Sequence, residues 1–141
     1  MKGLALNSDS VTPERMTWGM RRWLSRPSLT EAETLLVVEV MLEPGFGHTF
    51  HLHPNQEEVL YVLEGTIEHY IETERTVLSA GGTAFMKRGT VHASFNCGDE
   101  VARILAIVGP CKNVGDDGYE VIEVANAAPW SMLRQHVTRI D

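Results

Sequence analysis

Apolar and polar positions along this chain alternate in short runs, broken roughly every eight to twelve residues by glycine-bearing turns. Thr34 to Leu42 (T-L-L-V-V-E-V-M-L) is rich in β-branched residues and closes at Pro44-Gly45, so it predicts a strand. Val59 to Leu63 predicts another, closed by Glu64-Gly65. From Thr66 to Ile71 the pattern alternates, with Ile67, His69 and Ile71 on one side and Glu68 and Tyr70 on the other. A polar turn at Thr73-Glu74-Arg75 leads into Thr76-Val77-Leu78, which makes residues 66–78 a hairpin. Gly81-Gly82, Arg88-Gly89 and Gly98-Asp99 separate further strands at 83–87, 91–96 and 101–108, and Tyr119 to Val124 alternates again. Short strands with this spacing predict an all-β sandwich or barrel rather than a parallel βαβ sheet.

The two ends read differently. Thr17 to Leu24 (T-W-G-M-R-R-W-L) predicts a strand with exposed aromatics, suited to lying across a partner subunit. Residues 126–141 predict a short C-terminal helix, with Pro129 in its first turn and Trp130, Leu133 and Val137 on one side. The expected organisation is an N-terminal arm over 1–30 that a dimer could exchange, a barrel over 31–125, and the helix over 126–141.

Composition narrows the partners. The 141 residues are 43% hydrophobic and 22% charged, ordinary for one globular domain. A net charge of −7 argues against nucleic acid, because phosphate binding needs clustered Lys and Arg. Cys97 and Cys111 form no Cys-x-x-Cys pair, and Cys97 reads as a small buried hydrophobe. The N-terminus turns polar too early for a signal peptide, and no apolar run reaches the length of a membrane span. A cytoplasmic protein without membrane contact is the expectation.

Histidine placement carries the chemistry. Three of the six histidines fall within residues 48–53, and His51 and His53, two apart on a strand, share a face. Pro54-Asn55 is a turn, so the chain can re-enter a strand at Glu57 or Glu58. Pattern alone leaves both carboxylates open, since Leu60 and Val62 lie on the side of Glu58 and Val59, Tyr61 and Leu63 on that of Glu57. His92 shares its face with Ser94 and Asn96, an unusually polar set for a barrel interior. Imidazoles with a carboxylate suit Mn, Fe, Co, Ni, Cu or Zn and disfavour Ca and Mg. His48 and His136 stand outside this arrangement.

These residues resemble a known family. Gly45-x5-His51-x-His53-x4-Glu58-x6-Gly65 is similar to the first cupin motif at every fixed position. Gly81-x5-Lys87-x-Gly89-x2-His92-x3-Asn96 is similar to the second, with Lys87 where the family usually has Pro and Gly82 where it often has Asp. The resemblance implies a double-stranded β-helix (jelly-roll) barrel, with His51, His53, Glu58 and His92 as ligands of one divalent transition metal. It also implies a metal-dependent enzyme acting on a small oxygenated molecule, with dioxygenase chemistry ahead of sugar or sugar-acid isomerase or lyase chemistry. A non-catalytic metal-dependent binding protein is the alternative. His69 is the candidate acid/base, although a packed core histidine is the preferred reading; Tyr61, Lys87 and Arg88 rank lower, at the pocket rim. A homodimer is expected because small cupins are commonly dimers and Trp18, Met20, Trp23 and Leu24 offer an apolar surface. The rival reading packs these residues on their own barrel, against Trp130 and Leu133.

Overall fold

The computed structural model describes residues 1–134, and in it the alternating segments pair into two antiparallel sheets packed face to face. The first sheet runs, in spatial order, β1 (Glu14–Met16), β2 (Gly19–Ser25), β3 (Leu36–Leu42), β10 (Ala102–Gly109), β5 (Glu57–Glu64) and β8 (Thr83–Met86). The second runs β11 (Ile122–Glu123), β4 (Gly47–Leu52), β9 (His92–Asn96), β6 (Thr66–Ile71) and β7 (Glu74–Ser79). The chain passes from one sheet to the other between β3 and β4, β4 and β5, and β5 and β6, the winding of a jelly roll. Gly65, at φ 87, makes the last of these passages, and a Cβ there would come within 3.0 Å of the Ala102 backbone.

Period-two alternation builds the interior. On β10, Ala102, Ile104, Ala106 and Val108 are buried while their neighbours are half-buried. On β5, Glu58, Leu60 and Val62 point inward. Leu42, Leu60, Val62, Ile67, Met86 and Ile104 fill one end of the sandwich, and Leu36, Val38, Ala106 and Val108 the other. The outer face of the second sheet, bearing Phe50, Tyr70 and Phe95, is covered by Val124, Ala125, Trp130 and Leu133.

Several expectations change. The aromatics of residues 17–24 are not exposed: β2 pairs with β3 of the same chain, and Trp18 and Trp23 are 7% and 5% exposed in the core. They do not meet Trp130 or Leu133, which cover the other sheet. Trp18 and Trp23 are therefore withdrawn from the surface of the expected dimer, while Met20 and Leu24 stay half-buried, and light scattering at micromolar concentration decides the oligomeric state. Of residues 119–124 only Ile122–Glu123 is a strand; Tyr119 bridges to Asp116 in a turn. Cys97 is exposed, not buried. Of the C-terminal helix, the described residues contain the 3-10 turn Trp130–Met132; Val137 and His136 lie outside them. Among the described residues no helix is long and apolar enough to cross a membrane.

Candidate metal centre

Strand pairing brings the histidines together. β4 and β9 are antiparallel with His51 opposite His92, and His53 follows as the chain leaves β4. Glu58 comes from the first sheet, across the sandwich. His51, His53, Glu58 and His92 are each between 2% and 6% exposed, whereas Glu57 is exposed. The ring-nitrogen donors of His51, His53 and His92 all lie within 4.8 Å of one another. Glu58 Oε1 stands 3.0 Å from His53 Nε2 and 3.3 Å from His92 Nε2.

Backbone carbonyls set each ring. His51 Nδ1–H donates to Thr49 O at 2.6 Å, His53 Nδ1–H to Glu120 O at 2.7 Å, and His92 Nδ1–H to Thr90 O at 3.0 Å. With the Nδ1 proton so engaged, each neutral ring turns the bare lone pair of Nε2 towards the others. His92 Nε2 is buried with no hydrogen-bond partner among the described residues. Two bare lone pairs facing a carboxylate oxygen at this distance would repel, so either a proton on the ring or a metal ion must stand between them. Metal bonds of about 2.1 Å at right angles would separate neighbouring donors by about 3.0 Å, the spacing that Glu58 Oε1 keeps from His53 Nε2.

The same crowding governs the protons of the metal-free site. Burial pushes the Glu58 carboxyl up, but His92 and His53 outweigh it and hold it well below the usual range. Burial lowers His92, and the Glu58 charge overrides burial and raises it. Burial, and after it the neighbouring imidazoles His48, His92 and His53, push His51 well down. The Glu58→Gln protein should bind metal at least about tenfold more weakly than wild type, because it loses the anionic oxygen that offsets the divalent charge. Glu57→Gln should bind as wild type does; equal losses in metal titrations of the two would reject Glu58.

The inner cavity has a volume of about 60 Å³ and is walled by Val38, Val40, Leu42, Leu60, Ile104 and Val108 opposite the histidines. Trp18, His48 and Tyr119 close it. Sequence reasoning set His48 aside, yet a bulge on β4 between His48 and His51 turns both rings to the same side, stacked at 3.6 Å. His48 Nε2–H donates to Glu123 Oε1 at 2.8 Å. Clustering within residues 48–53 was the available signal; the three-residue spacing concealed the shared face. Gln56 was missed altogether. It is 1% exposed, donates to Pro110 O and Gly118 O at 2.9 and 2.6 Å, and accepts from Glu120 N at 3.0 Å.

His69 lies deeper, 6.2 Å ring to ring from His92. Its Nδ1 meets Ser94 Oγ at 2.8 Å and its Nε2–H points at Met86 Sδ at 3.3 Å, the surroundings of a packed neutral imidazole. Burial, with His92 nearby, lowers its pKa from 6.5 to about 4. Between those values the unfolded chain binds a proton that the native state refuses. The stability is therefore present above pH 6.5 and is lost as pH falls towards 4, by roughly 3 kcal/mol in metal-free protein. Urea denaturation of His69→Gln should show a flatter pH profile over that range; an unchanged slope would assign the loss to other groups. Tyr61 is 40% exposed on the outer face of β5, and Lys87 and Arg88 are exposed.

Residues 38–108 match the Cupin domain family. The chain is a cupin. This cupin is 31% identical over 102 residues to the tetracenomycin polyketide synthase protein TcmJ of Streptomyces glaucescens, covering 72% of this chain and 68% of that one. It is 29% identical over 126 residues to protein SchB of Streptomyces halstedii, covering 89% and 91%. Among solved structures it is similar to a conserved protein with a double-stranded β-helix domain from Klebsiella pneumoniae. That match has a TM-score of 0.65 at 25% identity and covers 79% of this chain and 92% of that one.

Proposed function

We propose that this cupin is a metal-dependent enzyme in which His51, His53, Glu58 and His92 hold one divalent transition metal. Its substrate would present two oxygens to that ion, as an enolisable 1,3-dicarbonyl does. The observation that carries the reading is a cluster of three backbone-locked imidazoles, two of which, His53 and His92, turn Nε2 to the buried Glu58 carboxylate. The name of TcmJ, a polyketide synthase protein, supports the substrate class, since polyketide chains are built of such dicarbonyls.

A bound divalent ion supplies Lewis acidity at the substrate oxygens, favouring the charged enolate. The chain supplies the setting. Val38, Val40, Leu60 and Ile104 exclude water, which strengthens every charge interaction inside the cavity. Tyr119 keeps its proton, because burial and then the Glu58 charge push its pKa up, and its hydroxyl can donate a hydrogen bond at the cavity wall. An apolar wall also suits dioxygen, which favours dioxygenase chemistry as the second reading.

Acetylacetone tests both. Metal-loaded protein should bring up the enolate absorption at pH 7, and metal-free protein should not. Oxygen consumption by the iron(II)-loaded protein would move the reaction to a dioxygenase. Absence of both signals with every loaded metal would leave a non-catalytic binding role.

A further inference from the structure

The four candidate donors lie behind closed walls. Each is 6% exposed or less, and the cavity they face is closed by Trp18, His48 and Tyr119. An ion arriving from solvent must pass one of these three. Trp18 is a core indole with no lone pair to offer a cation, and Tyr119 keeps its proton. His48 carries ring nitrogens that can bind an ion on its way in.

A second cluster of donors stands at that point. Ligand atoms of His48, His51 and Glu123 all lie within 4.8 Å of one another, as do those of His51, His53 and His92. His51 belongs to both clusters. They differ in depth: the inner three histidines are buried, whereas the His48 and Glu123 side chains are 24% and 54% exposed. The outer cluster borders a pocket of about 520 Å³ that His48 and Glu123 help to line.

His48 and Glu123 are joined by one proton, with His48 Nε2–H donating to Glu123 Oε1 at 2.8 Å. A divalent ion can take the place of that proton between the same nitrogen and oxygen, a donor set that suits zinc. The His48 ring stacks on His51 at 3.6 Å and 8°, so an ion bound to His48 is already beside the inner site. The Glu123 charge reaches inwards as well, since it acts on both His92 and Tyr119. A carboxylate at the mouth of a cleft raises the local concentration of cations.

We propose that His48, Glu123 and His51 form an outer capture site for the divalent ion, which passes from there to the buried centre through His51. The proposal rests on the four-ligand reading of that centre. The ion occupies the outer site only in transit, so the site lowers the barrier to entry and to exit by the same amount. It therefore sets how fast metal is exchanged and leaves the equilibrium affinity unaltered.

Stopped-flow mixing of zinc with metal-free protein measures entry, and transfer of zinc from loaded protein into excess chelator measures exit. His48→Phe keeps a flat ring against His51 and removes the nitrogen donors. Losing a donor costs an ion site at least about tenfold in affinity, so uptake and release should both slow by at least about tenfold with the dissociation constant unchanged. Glu123→Gln should also slow uptake, and the double variant should be slowed by less than the product of the two single factors, because both residues serve one site.

Unchanged rates in His48→Phe would overturn the capture site and leave the buried centre in place. Faster release with weaker binding would overturn it too, since His48 would then act by supporting His51. Wild-type protein that takes up no zinc would remove the four-ligand centre, and the capture site with it.

Discussion

His92→Ala, loaded with zinc beside the wild type and desalted, should retain less than about a tenth of the wild-type metal per subunit. Losing a partner that merely orients a ligand costs roughly 10- to 100-fold in affinity, so losing the ligand itself should cost at least about 100-fold. Apart from its approach to Glu58 Oε1 at 3.3 Å, His92 Nε2 makes no contact that holds the fold, and it has no geometric hydrogen-bond partner among the described residues. The alanine protein should therefore fold and show the loss cleanly. His48→Ala should keep its full complement, because His48 Nε2 is committed to Glu123 and its ring lies behind His51. Full occupancy of His92→Ala would sink the four-ligand assignment.

Gln56→Leu should lower both stability and metal affinity although Gln56 touches no metal position. Its side chain ties Pro110 O, Gly118 O and Glu120 N to the barrel, and Leu would leave these groups without that partner. At about 1 to 3 kcal/mol for each such group, the loss should be at least about 3 kcal/mol in urea denaturation. Glu120 O is also the acceptor that sets the His53 ring, so metal affinity should fall about tenfold as the ring loosens. A stability loss with wild-type metal affinity would show that His53 holds its orientation unaided.

The contrast between His92 and Gln56 marks what could be read from the chain. His51, His53 and His92 were legible because strand alternation and motif spacing both placed them on inner faces. Glu58 was ambiguous by pattern, since both faces of β5 are apolar. The fold resolves it by exposing Val59 and Tyr61, each 40% exposed, on the outside. His48 was hidden by a bulge, which adds a residue to β4 without any mark in composition. Gln56 was hidden because its partners lie 54 to 64 residues away in a loop that no local pattern joins to it. Trp18 and Trp23 misled because an amphipathic strand next to arginines looks the same whether its partner is its own sheet or another chain.

The four candidate donors are divided between the two walls of the sandwich: nitrogens from β4, its exit and β9, and the one carboxylate from β5. During folding, pairing of β4 with β9 alone can gather imidazoles but no negative charge. The anion arrives only when the walls close. An ion held by all four, as proposed, would act as a rivet between the sheets, so that ion capture and sandwich closure would strengthen each other in equal measure. At free metal a hundred times the dissociation constant, that coupling is worth about 2.7 kcal/mol.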